Sequence, residues 1–153
     1  MSETGRKEGC RFCDPRYQKE RNVLENRHFF ANFDSYPVTE GHMKIIPKRH
    51  VDSFFSLTEE EVAAAYGLLK RSKEMLDRRY APAAYNIGVN DGKAAGQTVF
   101  HLHIHLIPRY LGDVPDPTGG VRNVIPEKGN YLRQAKSADP RKKTRLVGKN
   151  IRK

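Results

Sequence analysis

Imidazole and aliphatic side chains alternate without a break from His101 to Leu106 in the stretch His-Leu-His-Ile-His-Leu-Ile. Side chains on a β-strand point to opposite faces with period two. The pattern therefore predicts a strand with His101, His103 and His105 on one face and Leu102, Ile104 and Leu106 on the other. Read as a helix, the same stretch scatters the imidazoles around the axis and wastes the alternation. A different period runs through the middle of the chain, where Val62, Ala65, Tyr66, Leu69 and Leu76 recur at helical spacing. They predict one long helix from about Thr58 to Arg79 with that apolar face against a sheet. Thr58-Glu59-Glu60-Glu61 reads as its capping box, with acids at the positive helix start, and Pro82 prevents its continuation.

Shorter apolar runs predict strands at 22–25, 28–33, 42–47 and 84–90, with a short helix or turn at 16–20 and an added edge strand at 121–126. Residues 112–120 are too rich in Pro and Gly for regular structure and predict an irregular arm. Strands gathered about one major helix by short connections indicate an α+β fold, an antiparallel sheet of about five strands with one long helix.

At 153 residues and 37% apolar content the chain has the size of one domain with a real core. The reading divides it into a disordered leader at 1–8, a folded domain at 9–132 and a basic, disordered tail at 133–153. The net charge of +10 belongs mostly to that tail, which holds nine Lys/Arg and one acid. Residues 1–132 keep nineteen bases against seventeen acids and are nearly neutral. The tail either solvates the chain end or gives nonspecific attraction to nucleic-acid phosphates. No apolar run approaches the roughly 20 residues needed to span a membrane, and the charged start lacks a secretory signal. A cytoplasmic location follows as the expectation.

Three neighbouring imidazoles cannot all carry charge comfortably, so some are held neutral near pH 7. Neutral imidazole serves as metal ligand, nucleophile or general base. One metal shared by all three is excluded by the span of about 13 Å over three same-face positions. Cys10 and Cys13, as Cys-x-x-Cys in a chain with no other cysteine, suit half of a zinc site better than a disulfide. The residues alone leave His28, His42, His50, His101, His103 and His105 open as the remaining ligands.

The histidine stretch resembles the signature of the histidine triad family. So do Ala95-Gly96-Gln97-Thr98-Val99 and Gly41-His42-Met43-Lys44-Ile45-Ile46-Pro47. The resemblance covers about residues 9–131, and is greatest to the zinc-bearing branch that acts on dinucleoside polyphosphates. It implies a nucleotide hydrolase or transferase, usually a homodimer, in which His103 attacks the α-phosphorus and forms a nucleotidyl-histidine. It gives His105 to the α-phosphate, a supporting role to His42 and the ribose hydroxyls to Asp34. Asn90 and Gln97 frame the loop before the triad, Thr98 offers a hydroxyl hydrogen bond to phosphate, and Phe33 and Ile45 become walls for the base. A structural zinc ion would take Cys10, Cys13, His50 and His101.

A third histidine, where hexose-phosphate transferases of the family carry glutamine, resembles the hydrolases. Cleavage at the α-phosphate of dinucleoside polyphosphates or nucleoside phosphoramidates is thus the first expectation. A phosphorylase or nucleotidyltransferase using the same covalent step is the second. A nucleic-acid-binding or adaptor protein working through the tail is the third.

Overall fold

The computed structural model describes residues 5–132, so the basic tail lies outside the described residues. The chain divides into two compact units between Asp113 and Val114. The first carries the sheet. Its strands are β1 (Leu24–Glu25), β2 (Phe29–Phe33), β3 (Met43–Pro47), β4 (Ala84–Val89) and β5 (Ile104–Arg109). They pair in the order β1-β2-β3-β5-β4, antiparallel throughout. A short helix α1 (Pro15–Arg21) precedes them, and the long helix α2 (Glu59–Tyr80) lies between β3 and β4. The α+β architecture expected from the sequence is the one observed.

The capping box holds, with Thr58 accepting from the Glu61 amide and Glu61 returning the bond to the Thr58 amide. The buried face of α2 differs from the expected one. It is Glu61, Ala65, Leu68, Ser72 and Leu76, whereas Val62 and Tyr66 are exposed. Ala65 and Leu76 alone do not fix the helix rotation. Apolar spacing alone favours the face with Val62 and Tyr66, but Glu61 turns inward to close the capping box and the sheet takes Leu68 as the companion of Ala65 and Leu76.

Against α2 the sheet packs Phe29, Ala31, Met43, Ile45, Ile104 and Leu106. Its other face carries Phe30 and Ile46 under Phe12, with Tyr17 of α1 and Cys10 beside them. On this second face Asn32 of β2 stands opposite Lys44 of β3, and Lys44 stands opposite His105 of β5. The sheet therefore separates an apolar helix side from a side that holds imidazole, ammonium and amide.

Two expectations are corrected here. The histidine strand starts at Ile104, so His101 and His103 precede it. The Leu102 amide donates to the Val51 carbonyl at 2.7 Å and the His101 carbonyl is taken by the His103 ring. Those groups are spent outside the sheet ladder. From Ile104 to Arg109 the buried and half-buried positions do alternate as the pattern requires.

The second correction falls in the other unit, where 121–126 is no strand. Gly119 and Gly120 take φ of +92° and +49° and start a 3-10 turn over Gly120–Val124. Pro126 then opens a one-turn helix, Pro126–Gly129. Left-handed glycines followed by a proline without an amide hydrogen leave no extended run to pair. Among the described residues, no helix is long and apolar enough to cross a membrane.

Candidate functional site

Two clusters flank the start of β5. The first is built on a 3-10 turn, Arg11–Cys13, in which the Cys13 amide donates to the Cys10 carbonyl at 3.0 Å. That turn brings both thiols to one side and drives Phe12 between them into the apolar cluster over the sheet. The Lys7 amide donates to Cys13 Sγ at 3.4 Å. His101 is fully buried, and its Nε2–H donates to the Pro47 carbonyl at 2.9 Å.

With that nitrogen occupied, the lone pair of Nδ1 faces the sulfurs, 3.3 Å from Cys10 Sγ and 3.5 Å from Cys13 Sγ. His50 Nδ1 lies 3.5 Å from Cys13 Sγ, and all four donor atoms fall within 4.8 Å of one another. A tetrahedral site with metal–sulfur bonds of about 2.3 Å and metal–nitrogen bonds of about 2.0 Å has S···N edges of about 3.5 Å. The donor set and its spacing therefore fit such an ion.

Burial, with the neighbouring imidazoles, pushes His101 down to about 4. His50 is lowered by burial and the nearby Lys7 charge. Both rings are neutral and ready to ligate. Burial pushes the Cys13 thiol up, a bias that a bound cation reverses.

The second cluster contains His103, His105 and His42. His103 Nδ1–H donates to the backbone carbonyl of His101 at 2.9 Å, which leaves Nε2 with its lone pair. Burial lowers its pKa, so this lone pair is present at neutral pH. Phe12 meets the His103 ring edge-on at 5.6 Å.

The protons of the other two rings follow from a fixed donor. The Val38 amide can only donate, and it donates to His42 Nδ1 at 3.3 Å. Neutral His42 must then carry its proton on Nε2, and this N–H donates to His105 Nδ1 at 2.9 Å. His105 in turn carries its proton on Nε2. Burial, then the His103 and His42 rings, push His105 down to about 4. The outcome is a free lone pair on one ring and an N–H donor on its neighbour, the two rings 5.1 Å apart.

Asp34 stands behind this pair. Its Oδ2 lies 3.4 Å from Lys44 Nζ, 3.8 Å from His42 Nε2 and 3.9 Å from His105 Nδ1, and its Oδ1 accepts the Tyr36 amide at 2.8 Å. Burial opposes its charge, but the Tyr36 amide and the Lys44 ammonium outweigh it and lower its pKa. Asp34, His42 and His105 are close enough to share a cation. A metal on His42 Nε2 would need an imidazolate, because Nδ1 already accepts from Val38. The arrangement is better described as a hydrogen-bond chain.

The remaining expected residues divide. Gln97 is buried and braces the loop, accepting from the Gly92 amide and donating to the Asp52 carbonyl, each at 2.8 Å. Asn90 and Thr98 lie exposed beside it. Ile45 is corrected outright. It is fully buried in the core under α2, on the face of the sheet away from His105, where no base can reach it. Phe33 also turns to that side and packs edge-on against Tyr80. His28 hydrogen-bonds Glu60 at 2.9 Å and is not part of either cluster.

Lys44, Phe12 and Asn32 were missed. A lysine inside a strand of otherwise apolar residues was the available signal for the first. The other two are apparent only once the register is known.

Residues 16–112 match the family model described as the HIT domain. A HIT-like protein of Mycoplasma pneumoniae is 42% identical over 92 residues, which is 60% of this chain and 64% of that relative. The bis(5'-nucleosyl)-tetraphosphatase [asymmetrical] of Schizosaccharomyces pombe is 36% identical over 77 residues, 50% of this chain and 42% of that one. A Zn-bound histidine triad family protein from Mycobacterium smegmatis superposes with a TM-score of 0.56 at 33% identity, covering 77% of this chain and 87% of the other. With the triad, its supporting histidine and the sheet that presents them all in place, the chain belongs to the HIT domain family.

Proposed function

We propose that this protein is a nucleotide hydrolase that cleaves at the α-phosphate through a nucleotidyl-histidine. The observation that carries the reading is the opposite protonation of two adjacent rings. His103 Nδ1 is held by the His101 carbonyl, and His105 Nδ1 by His42.

His103 Nε2 forms a bond to the α-phosphorus, and the bond from phosphorus to the leaving group breaks. His105 Nε2–H donates to a non-bridging oxygen as charge develops there, and supplies a proton to a basic leaving group. Water then adds to phosphorus, giving a proton to His105 Nε2 where that ring has spent its own and to solvent otherwise, the P–N bond breaks and a nucleoside monophosphate is released. Splitting one displacement into two is the usual gain from covalent catalysis.

Asp34 takes the ribose hydroxyls in this reading, as an ionised acceptor beside the histidines, and Thr98 and Asn90 lie on the exposed loop where phosphate oxygens would pass. A zinc ion on Cys10, Cys13, His50 and His101 supplies structural support to the His101 backbone. The tetraphosphatase relative and the Zn-bound neighbour support these choices. A homodimer is also proposed, since β4 is an edge strand with Ile87 exposed.

The test is product release from adenosine phosphoramidate, diadenosine triphosphate and diadenosine tetraphosphate by wild type and His103→Ala. A nucleoside monophosphate that vanishes with the variant is the expected result. Release of a nucleoside diphosphate only when inorganic phosphate is added would instead make the protein a phosphorylase. No turnover by the zinc-loaded protein would overturn the reading.

A further inference from the structure

Lys44 and Asn32 have no part in the proposed chemistry, yet both are buried, 7% and 1% exposed, on the face that carries His105. They form a row with it. Asn32 is the register partner of Lys44, and Lys44 of His105, so the row crosses β2, β3 and β5. Neighbouring strands lie about 4.8 Å apart, which puts Asn32 about 10 Å from His105. That is the span of a nucleoside 5'-phosphate laid across the strands, with phosphate at His105 and the far edge of a purine at Asn32. A pyrimidine falls short.

The row is also incomplete in hydrogen bonds. Asn32 Oδ1 has no partner among the described residues, while its Nδ2 donates to Tyr17 Oη at 3.2 Å. A buried acceptor left unmade costs about 1–3 kcal/mol, which a ligand N–H would offset. The Lys44 ammonium lies 3.4 Å from Asp34 Oδ2 and 5.5 Å from the Phe12 ring centroid. Its three hydrogens exceed that one carboxylate oxygen. α1, which contributes Tyr17, has no fully buried residue of its own and is the part of the cover that can yield.

On the reading that this face binds a nucleotide, we propose that Lys44 and Asn32 read the base and select guanine. An ammonium can only donate, and lysine meets guanine O6 and N7 in the commonest base contact of its kind. Asn32 Oδ1 then accepts from guanine N1–H or the N2 amine. Adenine is disfavoured because its N6 amine turns a donor toward the ammonium. The paired use of an asparagine amide on adenine also needs Nδ2, which Tyr17 holds. With the Asn32 amide turned over, two donors would face the base, and O6 and N7 of guanine still satisfy both.

The experiment is equilibrium binding of GMP, AMP, UMP and CMP to the full zinc-loaded chain, by calorimetry, with wild type and Lys44→Met. Wild type is expected to bind GMP tightest, by roughly 10-fold or more over AMP, as one good base contact gives. Lys44→Met is expected to collapse the GMP-to-AMP ratio toward one. A purely structural Lys44 would weaken all four alike, and that outcome overturns the proposal. Another nucleotide binding tightest, or none binding, also overturns it.

Turnover is measured separately on diguanosine and diadenosine tetraphosphate. GMP-selective binding without turnover sinks the hydrolase reading and leaves base selection standing. Turnover indifferent to the base does the reverse.

Discussion

The backbone oxygen of His101 accepts Nδ1–H of His103 at 2.9 Å, while the His101 ring points the other way, 3.3 Å from Cys10 Sγ. One residue thus joins the thiol cluster to the orientation of the proposed nucleophile. If the proposed zinc ion is bound, chelation, or Cys10→Ser with Cys13→Ser, should lower stability on the order of 3 kcal/mol, or roughly 6–12 °C in Tm. Turnover should fall with it. Metal content by mass spectrometry, read beside a melting curve, checks this. A Tm indifferent to chelator would show that no ion sits there.

In the proposed mechanism His42 acts through His105, as a positioning residue. His42→Ala should lower kcat by about 10–100-fold with a smaller change in KM, as expected when a general acid loses its orientation. Wild-type kcat/KM should fall on the acid side only below the ordinary imidazole range, as the buried His103 lone pair protonates. In the variant that limb should stay in place while kcat falls, because His42 orients the proton of His105 and the His101 carbonyl that of His103. An unchanged kcat would remove His42 from this role.

Arg49 precedes His50 and donates to Glu61 Oε2 at 2.8 Å, tying the loop after β3 to the start of α2. Arg49 lowers the Glu61 carboxyl from an ordinary 4.5 to about 2. The folded pKa lies below the unfolded one, so this stability is fully present above about pH 4.5 and is lost as pH falls toward 2. The shift sets an upper bound of about 3 kcal/mol, and solvent around Arg49, 39% exposed, reduces it to about 1–2 kcal/mol. Glu61→Gln should cost that much at pH 7 and nothing near pH 2. Denaturant titrations at the two pH values decide it.

Ile45 is a core residue under α2, not a wall of the nucleotide site. Ile45→Val should cost about 0.5–1.5 kcal/mol by deleting a buried methylene, with KM for any nucleotide unchanged. A KM that rises without a loss of stability would restore Ile45 to the binding surface.

The strongly periodic segments were legible in the chain itself. The capping box gave the start of α2 because Thr58 and Glu61 satisfy each other's amides locally. Short apolar runs gave the sheet, since each needed one buried face. The clusters were partly legible: Cys-x-x-Cys and the triad name ligand types by spacing. The resemblance, not spacing, brought His50 and His101 to the thiols, and the structure places these four donors together. The strand start was misplaced because alternation continues through His101 and His103 after the ladder has stopped. Alternation records facing, whereas a ladder needs free backbone groups.

By itself the sequence determined the α+β class, the long helix and which residue types could do chemistry, because local periodicity and capping need only near neighbours. Tertiary structure alone decided which face of α2 is buried, where each imidazole proton resides and that Asn32, Lys44 and His105 share one row. Those depend on partners distant in the chain: the Val38 amide, the Pro47 and His101 carbonyls, and the register between strands. A hydrogen bond is fixed by what lies across the fold, and a linear pattern carries no distance.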